Sequence, residues 1–174
     1  MMEKELEIKV LNIDVEEIEK KLIHLNALKI GEEFQTNYTF ESENINEGSY
    51  LRIRKTKIGI NEKPIELTFK ERVKNLKIRQ YNEYTVHIDN VDNMISILKF
   101  LNVDLKYIGK KKRISYKLKN ARIDIDIWDK ETYPLPYLEI EVSNEDDINE
   151  IINILNINRD NITKKSISEL RDEL

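Results

Sequence analysis

The sequence has no cysteine and only two histidines, four glycines and three prolines among its 174 residues. A chain without cysteine forms no disulfide, no thiolate zinc site and no thiol nucleophile. The two histidines, His24 and His87, are too far apart in the sequence to match a metal-ligand spacing. So few glycines and prolines leave no flexible linker between domains. We therefore interpret residues 1–174 as a single domain.

Long hydrophobic runs and an excess of positive charge are also missing. No apolar run approaches the roughly 18 residues of a membrane-spanning helix, and the N-terminal segment lacks the apolar core of a signal peptide. Lysine and arginine number 29 against 33 aspartates and glutamates, which gives a net charge of -4 and argues against a duplex-binding protein. These absences predict a cytoplasmic protein with no membrane or nucleic-acid partner.

The sequence does contain a repeated alternation of charged and apolar residues, and this period of two is typical of β-strands. It predicts eight strands over residues 3–10, 37–41, 50–56, 65–70, 78–88, 111–119, 121–128 and 137–142. Helical periodicity predicts four helices over residues 15–28, 91–101, 145–155 and 163–174. Eight strands are enough to close a barrel. The predicted fold class is α+β: an eight-stranded antiparallel closed β-barrel with helices packed on the outside.

The charged faces of these strands could lie in either of two places. The polar face of a strand is ordinarily the solvated side of a half-open sheet, and its charges often pair across strands. If helices cover the apolar outer face, however, the charged faces must point into the barrel, where burying each unpaired ion costs several kcal/mol. Such an interior would be filled with water and suited to a charged ligand.

The charges on these faces are of two kinds. Guanidinium and ammonium groups from several strands suit a polyanion such as a triphosphate. Carboxylate pairs two residues apart on one strand suit a hard divalent ion, Mg²⁺ or Mn²⁺. Phosphoryl transfer uses both, because its catalysis is mainly positioning and charge neutralisation. Cross-strand pairing explains mixed charge, but it does not explain Glu-x-Glu motifs near both ends of the chain.

The order of the charged motifs resembles a known family. Glu5, Glu7 and Lys9 form an ExExK motif that is similar to the signature of the CYTH superfamily, the triphosphate tunnel metalloenzymes. Further segments that resemble this family follow in its order, namely Leu51 to Arg54, Leu67 to Lys70, Arg79 to Glu83, Lys112 and Arg113 with Tyr116, Asp126, and Leu138 to Glu141. The resemblance spans residues 5–141 and implies an eight-stranded tunnel.

The resemblance also implies a role for each matched residue. The implied ligands of Mg²⁺ or Mn²⁺ are Glu5, Glu7, Asp126, Glu139 and Glu141. The implied contacts to the triphosphate are Lys9, Arg52, Arg54, Lys70, Arg79 and Arg113. The implied catalytic set is Glu5, Glu7, Lys9 and Glu83, where Glu83 either aids metal binding or fixes a neighbouring arginine.

Two features depart from the family pattern. Tyr81 replaces the first glutamate of the family's R-x-E-x-E stretch, and the usual glycine before the last strand is missing. The proline-rich segment 133–137 stands there instead and resembles a subgroup similar to class IV adenylyl cyclases.

The resemblance leaves the reaction open. In a cyclase the 3′-hydroxyl of ATP attacks the α-phosphorus and pyrophosphate leaves. In a triphosphatase water attacks the terminal phosphorus of ATP, tripolyphosphate or thiamine triphosphate. The alternative is a module that binds polyphosphate or a nucleotide without turnover. A homodimer is compatible with each of these hypotheses.

Overall fold

The computed structural model describes the backbone of residues 3–73 and 79–174 and the side chains of residues 6–73 and 81–174. The strands in this part of the chain are β1 (Glu3–Val10), β2 (Leu28–Glu41), β3 (Tyr50–Ile58), β4 (Asn61–Glu62), β5 (Ile65–Arg72), β6 (Arg79–Ile88), β7 (Asp104–Leu118), β8 (Ala121–Trp128), β9 (Tyr137–Val142) and β10 (Ile162–Thr163). The helices are α1 (Val15–His24), α2 (Val91–Phe100), α3 (Glu145–Ile154) and α4 (Ile167–Arg171), with a short 3-10 helix at Arg159–Asn161. The predicted α+β class is confirmed.

The described strands number ten, so the predicted number of eight is wrong. The two additional strands, β4 and β10, have two residues each. A strand of two residues is too short to leave a period in the sequence, and it forms only because a longer neighbouring strand offers it hydrogen bonds.

The strands form one antiparallel sheet in the order β10-β1-β6-β5-β3-β2-β7-β8-β9, and β4 pairs with β3. β1 is hydrogen-bonded to β6 through residues 3–7 and to β9 through residues 6–10. The first long strand of the chain and the last one are therefore neighbours. This pairing brings the two Glu-x-Glu motifs side by side.

Most predicted boundaries lie within two residues of those in the structure, and four elements differ by more, namely α1, β2, α4 and β7, which begins at Asp104 and not at residue 111. α1 ends at His24 because Asn26 adopts a left-handed conformation with φ of 56°, which stops a helix. β2 has 14 residues, since its first half pairs with β7 although its sequence does not alternate cleanly. α4 begins only after Ser166, whose side chain and that of Glu169 form a capping box.

α1, α2 and α3 cover one face of the sheet. α1 and α3 bury Leu22 and Ile151 against β8 and β9, and α2 buries Leu98 against β2 and β3. Leu170 of α4 packs on Tyr137 in a third, smaller cluster. No helix in the described residues is long and apolar enough to cross a membrane. Because side chains alternate along a strand, the charged residues lie on the opposite face of the sheet.

Candidate functional site

A cavity of about 130 Å³ lies on the charged face of the strands. Most of the predicted site residues line it, namely Glu7, Lys9, Arg52, Arg54, Lys70, Glu83, Arg113, Glu139 and Glu141. Asp126 is fully buried and contacts this lining through Arg113. The side chains of Glu5 and Arg79 lie outside the described residues, although the backbone places these two residues on β1 and β6.

Two cations converge on the Asp126 carboxylate. Oδ1 accepts a hydrogen bond from Arg113 Nε at 2.7 Å, and Oδ2 accepts from Arg113 Nη2 at 2.7 Å and from Lys111 Nζ at 2.6 Å. The Tyr137 hydroxyl donates to Oδ2 at 3.1 Å. Burial is the largest single effect and would raise the pKa of Asp126, but the attractions of Arg113 and Lys111 and the hydrogen bonds from Arg113 together outweigh it and hold the pKa below its ordinary value. Both oxygens therefore hold Lys111 and Arg113 in place. The metal-ligand role of Asp126 stays a prediction.

Further ion pairs surround Arg113 and Lys9. Arg113 Nη1 lies 2.7 Å from Asp124 Oδ2, and Nη2 also contacts Glu139. Lys9 Nζ lies 2.8 Å from Glu139 Oε1 and 3.3 Å from Glu7 Oε1. Burial opposes the charge of Glu139, yet Lys9 and Arg113 hold its pKa well below the ordinary value. We call this side of the cavity, formed by β1, β7, β8 and β9, the carboxylate wall.

Replacement of Asp126 by asparagine is expected to destabilise the fold. Asp126→Asn keeps the shape of the side chain but leaves Lys111 and Arg113 with less compensating charge in a buried site. The loss of one partner from a buried ion pair costs about 3–5 kcal/mol. Denaturant unfolding would measure the change, with Asp160→Asn on the surface as the matched control. Equal stability of the two variants would contradict the role assigned to Asp126.

The pH dependence of stability follows from the same two carboxylates. Asp126 and Glu139 have lower pKa values in the folded state than their ordinary values of 3.8 and 4.5. A carboxylate with a lowered pKa contributes stability that is fully present above its unfolded-state pKa and is lost as the pH falls toward its folded-state pKa. We expect the melting temperature to fall steeply as the pH drops below 4.5, and to fall less steeply for Asp126→Asn. Parallel curves for the two proteins would contradict this assignment.

The opposite side of the cavity carries Arg52 and Arg54 of β3. Within the described residues, neither guanidinium has a carboxylate within ion-pair distance, and the buried Nε of Arg52 has no hydrogen-bond partner. Arg54 Nε donates to Asn37 Oδ1 at 3.1 Å. Burial, followed by repulsion from Arg52 and Arg113, lowers the pKa of Arg54 to about 10. This side, which we call the arginine wall, has positive charge that an anion would compensate.

Lys70 and Glu83 face each other on β5 and β6, where their Cα atoms are register partners. The two side chains form an ion pair. The sequence left open whether Glu83 aids metal binding or fixes an arginine. Among the described side chains Lys70 is a cation beside Glu83, while the side chain of Arg79 lies outside them, so both roles of Glu83 stay predictions.

The fit of a divalent cation can be tested on the carboxylate wall. Glu7 of β1 and Glu141 of β9 are direct register partners, and both line the cavity. Like charges directly opposite each other repel unless a cation lies between them, and carboxylate oxygens are the donors that Mg²⁺ and Mn²⁺ prefer. The described residues contain no group of three side chains already placed around a metal position. By donor type and adjacency, the Glu7–Glu141 pair nevertheless fits a divalent ion.

Several residues of the cavity are absent from the predicted set. Lys111 shares the face of Arg113, and this parity places it among the basic residues of the charged faces, but the family resemblance assigned it no role. Burial and Arg113 lower its pKa to about 7, against the attraction of Asp126. Asn37 carries no charge to mark it, and residues 166–168 reach the cavity only because α4 folds back over the sheet.

The chain is similar to several known proteins. The model of the CYTH domain family matches residues 3–169. The PH1012 protein of Pyrococcus horikoshii is 26% identical, with a TM-score of 0.78 over 95% of this chain and 98% of that one. The PH1819 protein of the same organism is 20% identical, with a TM-score of 0.81 over 97% of this chain and 98% of the other.

A third solved structure carries a name that refers to function. It is an adenylyl cyclase candidate from Hippeastrum with a dominant triphosphatase activity. It is 13% identical to this chain, with a TM-score of 0.68 over 99% of this chain and 96% of its own. At this identity the likeness shows a shared fold. No curated protein matches the sequence.

Proposed function

Because the chain belongs to the CYTH domain family, we propose that it is a divalent-metal-dependent enzyme that hydrolyses a small-molecule triphosphate in the cavity between the carboxylate wall and the arginine wall. The pairing of β1 with β9 would make this cavity the tunnel that the family resemblance implies. The proposal concerns the substrate class, the metal and the roles of the individual residues.

The observation that carries the proposal is the unequal charge of the two walls. On the carboxylate wall, Lys9 and Arg113 are each paired with carboxylates. On the arginine wall, Arg52 and Arg54 have no such partners in the described residues. A desolvated cation without a counter-charge is costly, and a bound polyanion would remove this cost. Guanidinium groups also match phosphate oxygens with their planar fork of donors.

In this proposal cations from both walls would bind the substrate, and carboxylates would hold two of these cations in position. Arg52, Arg54 and Lys70 would bind the phosphoryl groups, and Lys9 would bind them from the opposite side. Glu83 would keep Lys70 in place, and Asp126 would orient Arg113 toward the substrate. Fixed cations placed where charge develops in the transition state lower the barrier, because they need no reorganisation during the reaction.

The metal would be held on the carboxylate wall. Glu7 and Glu141 would supply oxygen ligands, together with Glu139 and with Glu5 on the same strand as Glu7. Mg²⁺ or Mn²⁺ bound there supplies Lewis-acid stabilisation of the phosphoryl oxygens. Without it, the carboxylates of this wall would repel a triphosphate.

The second candidate reaction is cyclisation of ATP. Three aromatic side chains favour it. Tyr50, Tyr107 and Trp128 line the same cavity and offer ring surfaces to a nucleoside. Either reaction would use the charged groups described above, but cyclisation needs a pocket for the base in addition, so hydrolysis, which needs only the phosphate and metal sites, stands first.

Turnover is expected to require a divalent ion. We expect phosphate release from tripolyphosphate or ATP in Mg²⁺ or Mn²⁺, none in excess chelator, and recovery when the ion is restored. Assays of phosphate, pyrophosphate and cyclic AMP on the same samples would identify the reaction. Full turnover in chelator would contradict the metal assignment, and tight tripolyphosphate binding without any product would favour the non-catalytic binding module.

A further inference from the structure

Asn37 of β2 lines the cavity with one half of its side-chain amide unpaired. The residue is 1% exposed. Its Oδ1 accepts a hydrogen bond from Arg54 Nε at 3.1 Å, whereas its Nδ2 has no hydrogen-bond partner in the part of the chain that the structure describes. A buried polar group without a partner is costly, because it has lost its hydrogen bonds to water. Nδ2 is therefore a donor that a ligand in the cavity could pair with.

The neighbours of Asn37 in the sheet set the orientation of this amide. Asn37 is the register partner of Arg54 on β3 and of Gly109 on β7. Arg54 Nε is a donor, so the amide atom that bonds to it must be the acceptor Oδ1. Gly109 has no side chain that could pair with the amide from the other side. Turning the amide over would place two donors against each other, and Nδ2 therefore stays available to a ligand.

A second buried donor beside Asn37 also lacks a partner. Arg52 lies on the same face of β3 as Arg54, and its Nε has no hydrogen-bond partner within the described residues. Asn37 Nδ2 and Arg52 Nε can only donate, so the ligand atoms that complement them must be acceptors. Phosphoryl oxygens are acceptors of this kind, and their charge makes the hydrogen bonds that they accept stronger than those between neutral groups.

We propose that Asn37 is a substrate-binding residue of the cavity: Nδ2 donates a hydrogen bond to a phosphoryl oxygen, while Oδ1 orients the guanidinium of Arg54. The inference rests on the proposed function and deepens it, because it adds an uncharged contact to which the family resemblance assigns no role. An amide binds a phosphate chain without adding positive charge where Arg52 and Arg113 already repel Arg54.

The test is calorimetric titration of inorganic tripolyphosphate in chelator, where neither metal nor turnover contributes. Asn37→Ala removes the donor, and we expect binding about 10- to 100-fold weaker, the range of one hydrogen bond to a charged group. Asn37→Asp keeps an acceptor for Arg54 but replaces the donor with a negative charge, and it should weaken binding at least as much. If the wild type binds only in Mg²⁺, the same comparison is made on KM.

Gln35 provides the matched control. It lies two residues from Asn37 on the same face of β2, is 2% exposed and has an unpaired Oε1 within the described residues. Its Nε2 donates to Glu33, and among the described residues it does not belong to the lining of the cavity. Gln35→Ala and Asn37→Ala each remove one buried amide that bonds to one side chain, so we expect similar changes in melting temperature. Only Asn37→Ala should change the affinity for tripolyphosphate.

The outcomes distinguish this inference from the function on which it rests. Wild-type affinity in Asn37→Ala, or an equal loss in Gln35→Ala, would overturn the role of Asn37 alone. Weaker binding in Asn37→Ala with wild-type affinity in Asn37→Asp would also overturn it, because the donor would then be dispensable. If Asn37→Ala does not fold, the affinity of Asn37→Asp decides. A wild type that binds no tripolyphosphate, with or without Mg²⁺, would overturn the proposed function and this inference together.

Discussion

Arg52→Ala and Arg54→Ala are each expected to lower kcat/KM for tripolyphosphate by about 10²-fold or more, the loss that follows removal of one preorganised electrostatic contact. Both side chains line the cavity, and neither has a described carboxylate within ion-pair distance, although Glu66 attracts Arg54 from farther away. Their contacts with phosphate would strengthen as charge shifts in the transition state. We therefore expect KM to rise and kcat to fall together.

The same substitutions should leave stability unchanged or raise it. Burial and repulsion by Arg52 and Arg113 already lower the pKa of Arg54, so the free site holds these cations at a cost. Removing one of them removes part of the repulsion. Arg159→Ala, which replaces an exposed arginine that bonds only to Asn149 and Asn153 within the described residues, is the matched control.

One outcome would contradict the substrate-binding role of Arg52 and Arg54. If both variants melted at lower temperature than the control while tripolyphosphate bound as in the wild type, Arg52 and Arg54 would be structural. Thermal unfolding in chelator and steady-state kinetics in Mg²⁺, run on the same preparations, decide between the two roles.

Glu141→Gln is expected to reduce turnover by about 10²-fold or more, the scale of one lost electrostatic contact in a preorganised site, and to shift the Mn²⁺ midpoint of activity upward. Glutamine keeps the shape of the side chain but loses the charge that would bind the ion. Because Glu141 lies directly opposite Glu7, removing its charge also removes a like-charge contact. Stability in chelator should therefore change little.

Glu139→Gln should behave differently. Glu139 is paired with both Lys9 and Arg113, which hold its pKa well below the ordinary value. The variant would leave these cations undercompensated, and we expect a loss of about 3–5 kcal/mol of stability in addition to reduced activity. The sequence alone predicts intact folding for both variants, since it places both glutamates on one polar face.

The exposed Glu150, which pairs with Lys119, provides the matched control as Glu150→Gln. Activity of Glu141→Gln at the wild-type Mn²⁺ midpoint would mean that the metal binds elsewhere. Equal stability of Glu139→Gln and Glu150→Gln would mean that the carboxylate wall does not depend on the ion pairs of Glu139.

The sequence by itself determined which residues share a face. Side chains alternate along every strand, so the spacing of Arg52 and Arg54, or of Glu139 and Glu141, places each pair together whatever the rest of the chain does. Local signals of the same kind predicted most of the strands and helices. The α+β class follows from this local alternation, whereas the predicted site residues were implied by the family resemblance.

Only the tertiary structure decided which charges cancel. Arg113 forms ion pairs with Asp126 and Glu139, while Arg52 and Arg54 have no described carboxylate within ion-pair distance, because the register between strands far apart in sequence sets these distances. Alternation along one strand carries no information about the register of its neighbours. Tyr81 shows the same limit: the sequence marks it as an unexpected residue, and only the pairing of β6 with β5 places its ring 5.6 Å from Lys70 Nζ and edge-on to the ring of Tyr50.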